Sequence, residues 1–203
     1  MVSSAAEATE FTGMQYFVGE LDGKSFVPDK QEGVLRLDRG KDFYAAIPFQ
    51  NLPSKDKNPI IMGWGSNWSY AGDIPSEGRR GMFSMPRKLS LVNENGQFSL
   101  VQKPIYSNHI HSKELILKAS ELTKPKTWEM KDDSYKLSLV IDLGNSNGFA
   151  MELLKNEEEK CVLTYNAITQ KLFFDRTKSG KIDFNKNFSS IENHLCQTNK
   201  KGF

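Results

Sequence analysis

The stretch that decides the fold is Arg87-Lys-Leu-Ser-Leu-Val92, followed by Asn95-Gly96 and then by Gln97-Phe-Ser-Leu-Val101. Apolar and polar side chains alternate on both sides of the Asn-Gly pair, which is the pattern of half-buried strands. Asn-Gly between two such runs is a strong hairpin signal, because a tight turn of this kind needs residues that accept a positive φ. The sequence therefore predicts two antiparallel strands joined by a short turn.

Upstream of this hairpin the sequence reads as further short strands separated by turns. Asp22-Gly23 predicts a second tight hairpin, between strands at 15–21 and 24–27. Four more strands are predicted at 33–38, 42–47, 60–65 and 81–85. Phe, Tyr and Trp make up 11% of the chain, and such a high aromatic content favours strands over helices.

Downstream of about residue 103 the alternating segments become longer. They lie at 135–142, 149–154, 161–165 and 171–175, and their spacing is typical of a β-sandwich. Residues 113–122 fit a short helix or a strand equally well. We expect a first unit at 1–101, a linker at 102–112 and a second unit at 113–203.

The composition excludes several classes of protein. The 203 residues carry 27 Lys and Arg against 25 Asp and Glu, which argues against a dedicated nucleic-acid binder. No apolar run reaches the roughly 18 residues of a membrane span, and the first residues lack the features of a signal peptide. Cys161 and Cys196 are too few for a disulfide framework; one bridge is an alternative to the free buried thiols that we expect.

No generic catalytic motif is present, neither GxSxG nor a phosphate-binding loop nor HExxH. His109 and His111 lie one residue apart and could chelate a metal from one strand face. A stable site needs further ligands, and the sequence offers no obvious third one. We therefore interpret both as solvated loop residues and predict no metal and no other cofactor.

Four segments are more specific than any generic motif. They are QYFVGELDG at 15–23, LDRGKDFYA at 37–45, GWGSNWSY at 63–70 and RGMFSMPRKLSL at 80–91. In this order and spacing they closely resemble the glycoside hydrolases of family 32, which include invertases, levanases and inulinases. LFFDRTKSG at 172–180 resembles a hairpin in the C-terminal sandwich of the same family.

The resemblance implies an all-β protein: the last blades of a five-bladed β-propeller, up to about residue 101, followed by a β-sandwich. We expect the sandwich to be incomplete, because the family continues with further strands after the 172–180 hairpin. Val2-Ser3 resembles the interior of a family strand, which suggests an internal start.

The family's three catalytic carboxylates lie in segments that resemble NDPNG, RDP and EC. None of these occurs in the 203 residues. We therefore predict no catalytic residue here and no activity for this chain alone, although the intact family cleaves terminal β-fructofuranosyl bonds of sucrose or fructans without a cofactor. The alternatives are a non-catalytic carbohydrate-binding protein, or one half of a split enzyme whose N-terminal half is a separate chain. The location in the cell stays open: intact members are often secreted or periplasmic.

The resemblance also implies four substrate-binding residues, namely Trp68, Asp38, Lys41 and Tyr44. Trp68 is predicted to stack against a sugar ring, because apolar walls with a few polar groups are typical of ligand pockets. Asp38 and Lys41 are predicted to contact a second sugar, and the alternative for them is a local surface ion pair. Tyr44 points either to the pocket or to the core. Asp42 is predicted to be structural.

Overall fold

A computed structural model describes residues 2–4, 12–30, 33–53, 58–79, 81–94, 96–106, 111–130 and 135–196. The chain divides into two compact units, Met1–Tyr106 and Ser107–Phe203. Across the described residues, the helical structure amounts to a single 3-10 turn at Ala119–Glu121, and the rest of the regular structure is β-strand. The prediction of an all-β fold is confirmed.

The described residues of the first unit form two small antiparallel sheets and one larger one. The small sheets pair β1 (Val2–Ser4) with β2 (Gly13–Gln15), and β3 (Gly19–Leu21) with β4 (Phe26–Pro28). The larger sheet has the order β5 (Tyr44–Pro48), β6 (Ile60–Trp64), β7 (Arg87–Glu94) and β8 (Gln97–Pro104). Each of its strands pairs with the next strand in the chain, and a four-stranded sheet of this kind is the unit of a propeller blade.

The two predicted hairpins have different outcomes. The Asn-Gly hairpin is confirmed: Glu94 pairs with Gln97, and Gly96 has a φ of 88°. β3 and β4 pair as an antiparallel hairpin, but the prediction of a two-residue turn at Asp22-Gly23 is wrong, because four residues separate the two strands. The Asp22 carboxylate accepts hydrogen bonds of 2.8 Å from the N–H groups of Lys24 and Ser25, and these bonds close a wider loop.

Three predicted strands are shorter than expected. The strand at 15–21 is split, because the Tyr16 N–H leaves the ladder and donates to the Leu35 carbonyl at 2.9 Å. The strands at 33–38 and 81–85 are reduced to single bridges, one at Arg36 and one at Phe83. The second bridge is followed by Pro86, whose missing N–H interrupts the ladder.

The core of the first unit lies against one face of the larger sheet. Its buried side chains are Met14, Leu37, Phe43, Ala46, Ile61 and Leu89. Burial alternates along β6, so Ile61 and Gly63 face this core. The packing is close at Gly63, where a Cβ atom would lie 2.8 Å from Cε2 of the Phe43 ring.

This close approach gives a stability prediction. Gly63→Ala should lower the free energy of unfolding by about 1–3 kcal/mol, because the added methyl overpacks a buried ring that cannot move easily. Gly72→Ala is the matched control, since a Cβ there meets no atom within 4 Å. Urea unfolding of the two variants checks this. Equal midpoints for both would show that Phe43 yields without cost.

The second unit contains one parallel and one antiparallel sheet. β9 (His111–Lys118) and β10 (Tyr135–Asp142) run parallel. The other sheet is a meander of β11 (Gly148–Leu153), β12 (Lys160–Asn166), β13 (Lys171–Lys178) and β14 (Ile191–Leu195). Residues 113–122 thus form the end of a strand and a 3-10 turn.

Both cysteines are free thiols and half-buried. Burial raises the pKa of the Cys161 thiol; the nearby charge of Arg176 lowers this pKa by a smaller amount, and that of Asp175 raises it further. Within the described part of the chain, no helix has the length and hydropathy that a membrane span requires.

Candidate functional site

An exposed tryptophan lies beyond the end of β6. The side chain of Trp68 is 64% exposed, and its ring centroid lies 4.9 Å from that of Trp64, with the planes tilted by 54°. Trp64 is half-buried, and the backbone at Gly81 passes so close that a Cβ there would lie 2.6 Å from the indole nitrogen. Trp64 therefore contacts one side of the Trp68 indole, and much of Trp68 remains exposed to solvent.

The turn that carries Trp68 is organised by Asn67, which is 3% exposed. Its Nδ2 donates to the Lys41 carbonyl at 2.9 Å, and its Oδ1 accepts from the Ser69 N–H at 2.9 Å. Its own carbonyl accepts from the Ala71 N–H at 2.8 Å. A single asparagine thus closes the turn and ties it to the segment before β5.

Tyr70 makes a second connection to the same segment. Its side chain is 1% exposed, and its hydroxyl donates to Oδ1 of Asp42. Asp42 therefore has a structural role, as predicted, and Tyr70 is one of its partners. Sequence reasoning missed the roles of Asn67 and Tyr70. The signal available in the sequence was that these two polar residues lie on either side of Trp68, three positions apart.

Asp38 lies in a different environment. Its Oδ2 is 2.6 Å from Nη1 of Arg87, and its Oδ1 accepts from the Gly40 N–H at 2.7 Å. The Arg87 guanidinium also lies 4.0 Å from the centre of the Phe43 ring and 3.2 Å from Oε1 of Gln102. Asp38 therefore forms an ion pair, but with a half-buried arginine 49 positions away and not with the local surface partner of the alternative, and its contact with a sugar stays a prediction.

Three of the four predicted site residues share one end of the larger sheet. Tyr44 is the strand partner of Trp64, Trp68 packs on Trp64, and the Lys41 carbonyl holds the Trp68 turn. Exposed Met82 and Phe83 adjoin this end, because the Met82 carbonyl accepts from the Gly65 N–H at 2.7 Å. The site is therefore an aromatic surface with polar groups beside it, and the binding roles of its residues remain predictions.

The described residues contain no group of three or more His, Cys, Asp and Glu side chains that could hold a metal ion. His109 lies outside the described residues, and so does the side chain of His111.

The family to which the chain belongs is settled by two matches. Residues 1–104 match the N-terminal domain of the glycosyl hydrolases of family 32, and residues 98–199 match the C-terminal domain of the same family. The chain belongs to glycoside hydrolase family 32. The resemblance drawn from the four segments is thereby confirmed.

Similar curated proteins include a levanase and an exo-inulinase. A levanase from Bacillus subtilis is 32% identical over 186 residues, which are 88% of this chain and 28% of the levanase. An extracellular exo-inulinase from Aspergillus niger is 31% identical over 196 residues, covering 89% of this chain and 36% of the inulinase. The chain thus spans about a third of the length of these relatives.

Solved structures of the family share the fold. The exo-inulinase from Aspergillus awamori aligns with a TM-score of 0.68 at 24% identity, over 94% of this chain and 39% of the inulinase. A variant of fructofuranosidase from Schwanniomyces occidentalis, complexed with fructosylnystose, aligns with a TM-score of 0.63 at 21% identity, over 91% of this chain and 39% of that one.

Proposed function

We propose that the chain supplies part of the sugar-binding surface of a β-fructosidase that cleaves terminal β-fructofuranosyl bonds of sucrose or fructans. The observation that carries this proposal is the exposed indole of Trp68, which is held on Trp64 beside the Lys41–Tyr44 segment in a member of family 32. A flat apolar surface with polar neighbours suits a sugar ring, which offers C–H groups on its face and hydroxyls at its edge.

The chemistry of bond cleavage requires more than this surface. A retaining glycosidase uses two carboxyl groups about 5–5.5 Å apart, one as nucleophile and one as acid and base. Two carboxylates in the segment before β5 are engaged, Asp38 by Arg87 and Asp42 by Tyr70. Since the family's catalytic segments do not occur in these residues, we assign the nucleophile and the acid/base to another part of the enzyme.

The second face of the larger sheet, opposite to the core, carries exposed apolar side chains that are suited to contact this other part of the enzyme. Ile47 pairs with Met62 on the face opposite to buried Ile61, and Ile47 is 71% exposed. Val92 is also exposed, and alternation along β7 places it on the face opposite to buried Leu89. In a propeller the sheets are arranged radially around a central channel, so a face with exposed apolar side chains such as Ile47 and Val92 is expected to meet another blade. We assign this face to the N-terminal portion of the propeller, whether in the same polypeptide or in a separate half-chain.

Complementation tests the proposal directly. The chain is mixed or co-expressed with the N-terminal portion of the Bacillus subtilis levanase that precedes the matched region. Reducing sugar should be released from sucrose, levan or inulin by the combination and not by this chain alone. Ile47→Lys should lower the complemented activity, whereas Ile168→Lys, at an equally exposed isoleucine of the second unit, should not.

Two results would contradict the proposal in different ways. Hydrolysis by this chain alone would mean that its own carboxylates are sufficient. Fructan binding that persists while every combination stays inactive would favour a non-catalytic carbohydrate-binding protein.

A further inference from the structure

An exposed indole can change its two side-chain torsions, and this freedom is lost when a ligand stacks on it. Ordering one such side chain on binding costs about 0.5–1.5 kcal/mol. A site that holds the indole beforehand avoids most of this loss. The groups that restrict the orientation of Trp68 therefore affect how tightly a ligand binds.

Two buried polar side chains flank Trp68 in the chain and bind neighbouring residues. Asn67, one residue before, donates to the Lys41 carbonyl, and Tyr70, two residues after, donates to the Asp42 carboxylate. These two hydrogen bonds end on the consecutive residues Lys41 and Asp42. The turn from Asn67 to Tyr70 is therefore held at both ends and cannot rotate about one hydrogen bond alone. Burial of both side chains excludes the water that would compete for these bonds.

We infer that Asn67 and Tyr70 are positioning residues that fix the tilt of Trp68 over Trp64 and thereby preorganise its exposed face for a sugar ring. The consequence for sugar binding rests on the proposed function. The consequence for the tilt of the two indoles does not, and it can be measured without any sugar. Preorganised groups supported by buried neighbours are the usual basis of precise binding sites.

Tyr70→Phe is the decisive variant, because it removes the hydroxyl and keeps the buried ring. The two indoles, 4.9 Å apart at 54°, should give an exciton couplet in the far-ultraviolet circular dichroism spectrum, defined as the signal that Trp68→Phe abolishes. Tyr70→Phe should shrink this couplet clearly and weaken the binding of a short inulin-type fructo-oligosaccharide roughly two- to tenfold.

Tyr165→Phe is the matched control. Tyr165 is equally buried, in the second unit, and among the described residues its hydroxyl has no hydrogen-bond partner. Removing that hydroxyl should change neither the couplet nor the affinity.

Conservative variants separate positioning from general stability. Asp42→Asn keeps an acceptor oxygen for the Tyr70 hydroxyl and should preserve the couplet, whereas Asp42→Ala should reproduce the effect of Tyr70→Phe. Asn67→Asp places a carboxylate oxygen against the Lys41 carbonyl and should also reduce the couplet. Its control is Asn166→Asp, which keeps the acceptor for the N–H groups of Ile168 and Thr169.

The outcomes are distinguishable. A parent-like couplet in folded Tyr70→Phe would overturn the inference, even if its unfolding midpoint fell, because the role of Tyr70 would then be structural only. A reduced couplet together with sugar binding that does not depend on Trp68 would support the positioning role and contradict the proposed site.

Discussion

Trp68→Ala should weaken the binding of a short fructo-oligosaccharide by about tenfold. Aromatic stacking contributes about 0.5–1.5 kcal/mol beyond the buried area, and about 1.4 kcal/mol corresponds to a factor of ten in affinity. The indole is 64% exposed, and Trp64 lies against it with ring centroids 4.9 Å apart. Isothermal titration calorimetry on the full chain measures the effect.

Two further variants make this result specific. Lys41→Ala should weaken binding less than Trp68→Ala, because a single charged contact at the edge of a neutral sugar contributes less than a stacked aromatic surface. Trp128→Ala alters a partly exposed tryptophan of the second unit and should leave the affinity unchanged. Parent-like affinity in Trp68→Ala would remove this residue from the site.

Arg87→Ala should lower the free energy of unfolding by about 2–3 kcal/mol, since it strands a half-buried carboxylate. The guanidinium lies 2.6 Å from Asp38 and 4.0 Å from the centre of the buried Phe43 ring, so both an ion pair and a cation–π contact disappear. Lys118→Ala is the control, because its 4.0 Å pair with Glu121 is exposed and such pairs contribute about 0–1 kcal/mol. Urea unfolding measures both.

A double-mutant cycle between Arg87→Met and Asp38→Asn isolates the pair itself. We expect a coupling energy of about 1 kcal/mol or more. If Asp38 also contacts a sugar, as the resemblance implies, Asp38→Asn should lower the sugar affinity while Arg87→Met does so less; an unchanged affinity in Asp38→Asn would contradict that contact.

Local sequence patterns were sufficient to predict the elements that depend only on residues close together in the chain. The Asn95-Gly96 turn needs only its two residues and the alternation around them, and β7 and β8 form there. Strand β10 begins and ends where its alternation does, at Tyr135 and Asp142. The four family segments were likewise sufficient to predict the fold class, because they occur in the order and spacing that is typical of the family.

The details of the site depend on contacts between distant residues, and no local pattern carries these. Asp38 meets Arg87 across 49 positions, and Asn67 meets Lys41 across 26. The Asp22 loop shows the same limitation on a smaller scale. Asp-Gly suits a two-residue turn, but the carboxylate bonds to Lys24 and Ser25 select a wider one.

The parallel pairing of β9 with β10 has a consequence for the order of folding. In the meander, β11, β12 and β13 meet through the short connections 154–159 and 167–170 and β14 joins them through 179–190, whereas β9 and β10 must close the longer segment 119–134 before their first contact forms. Closing a longer loop costs more chain entropy, and non-local pairing slows folding. The meander is therefore expected to form the nucleus of the second unit, and the parallel pair to join it in a later kinetic step.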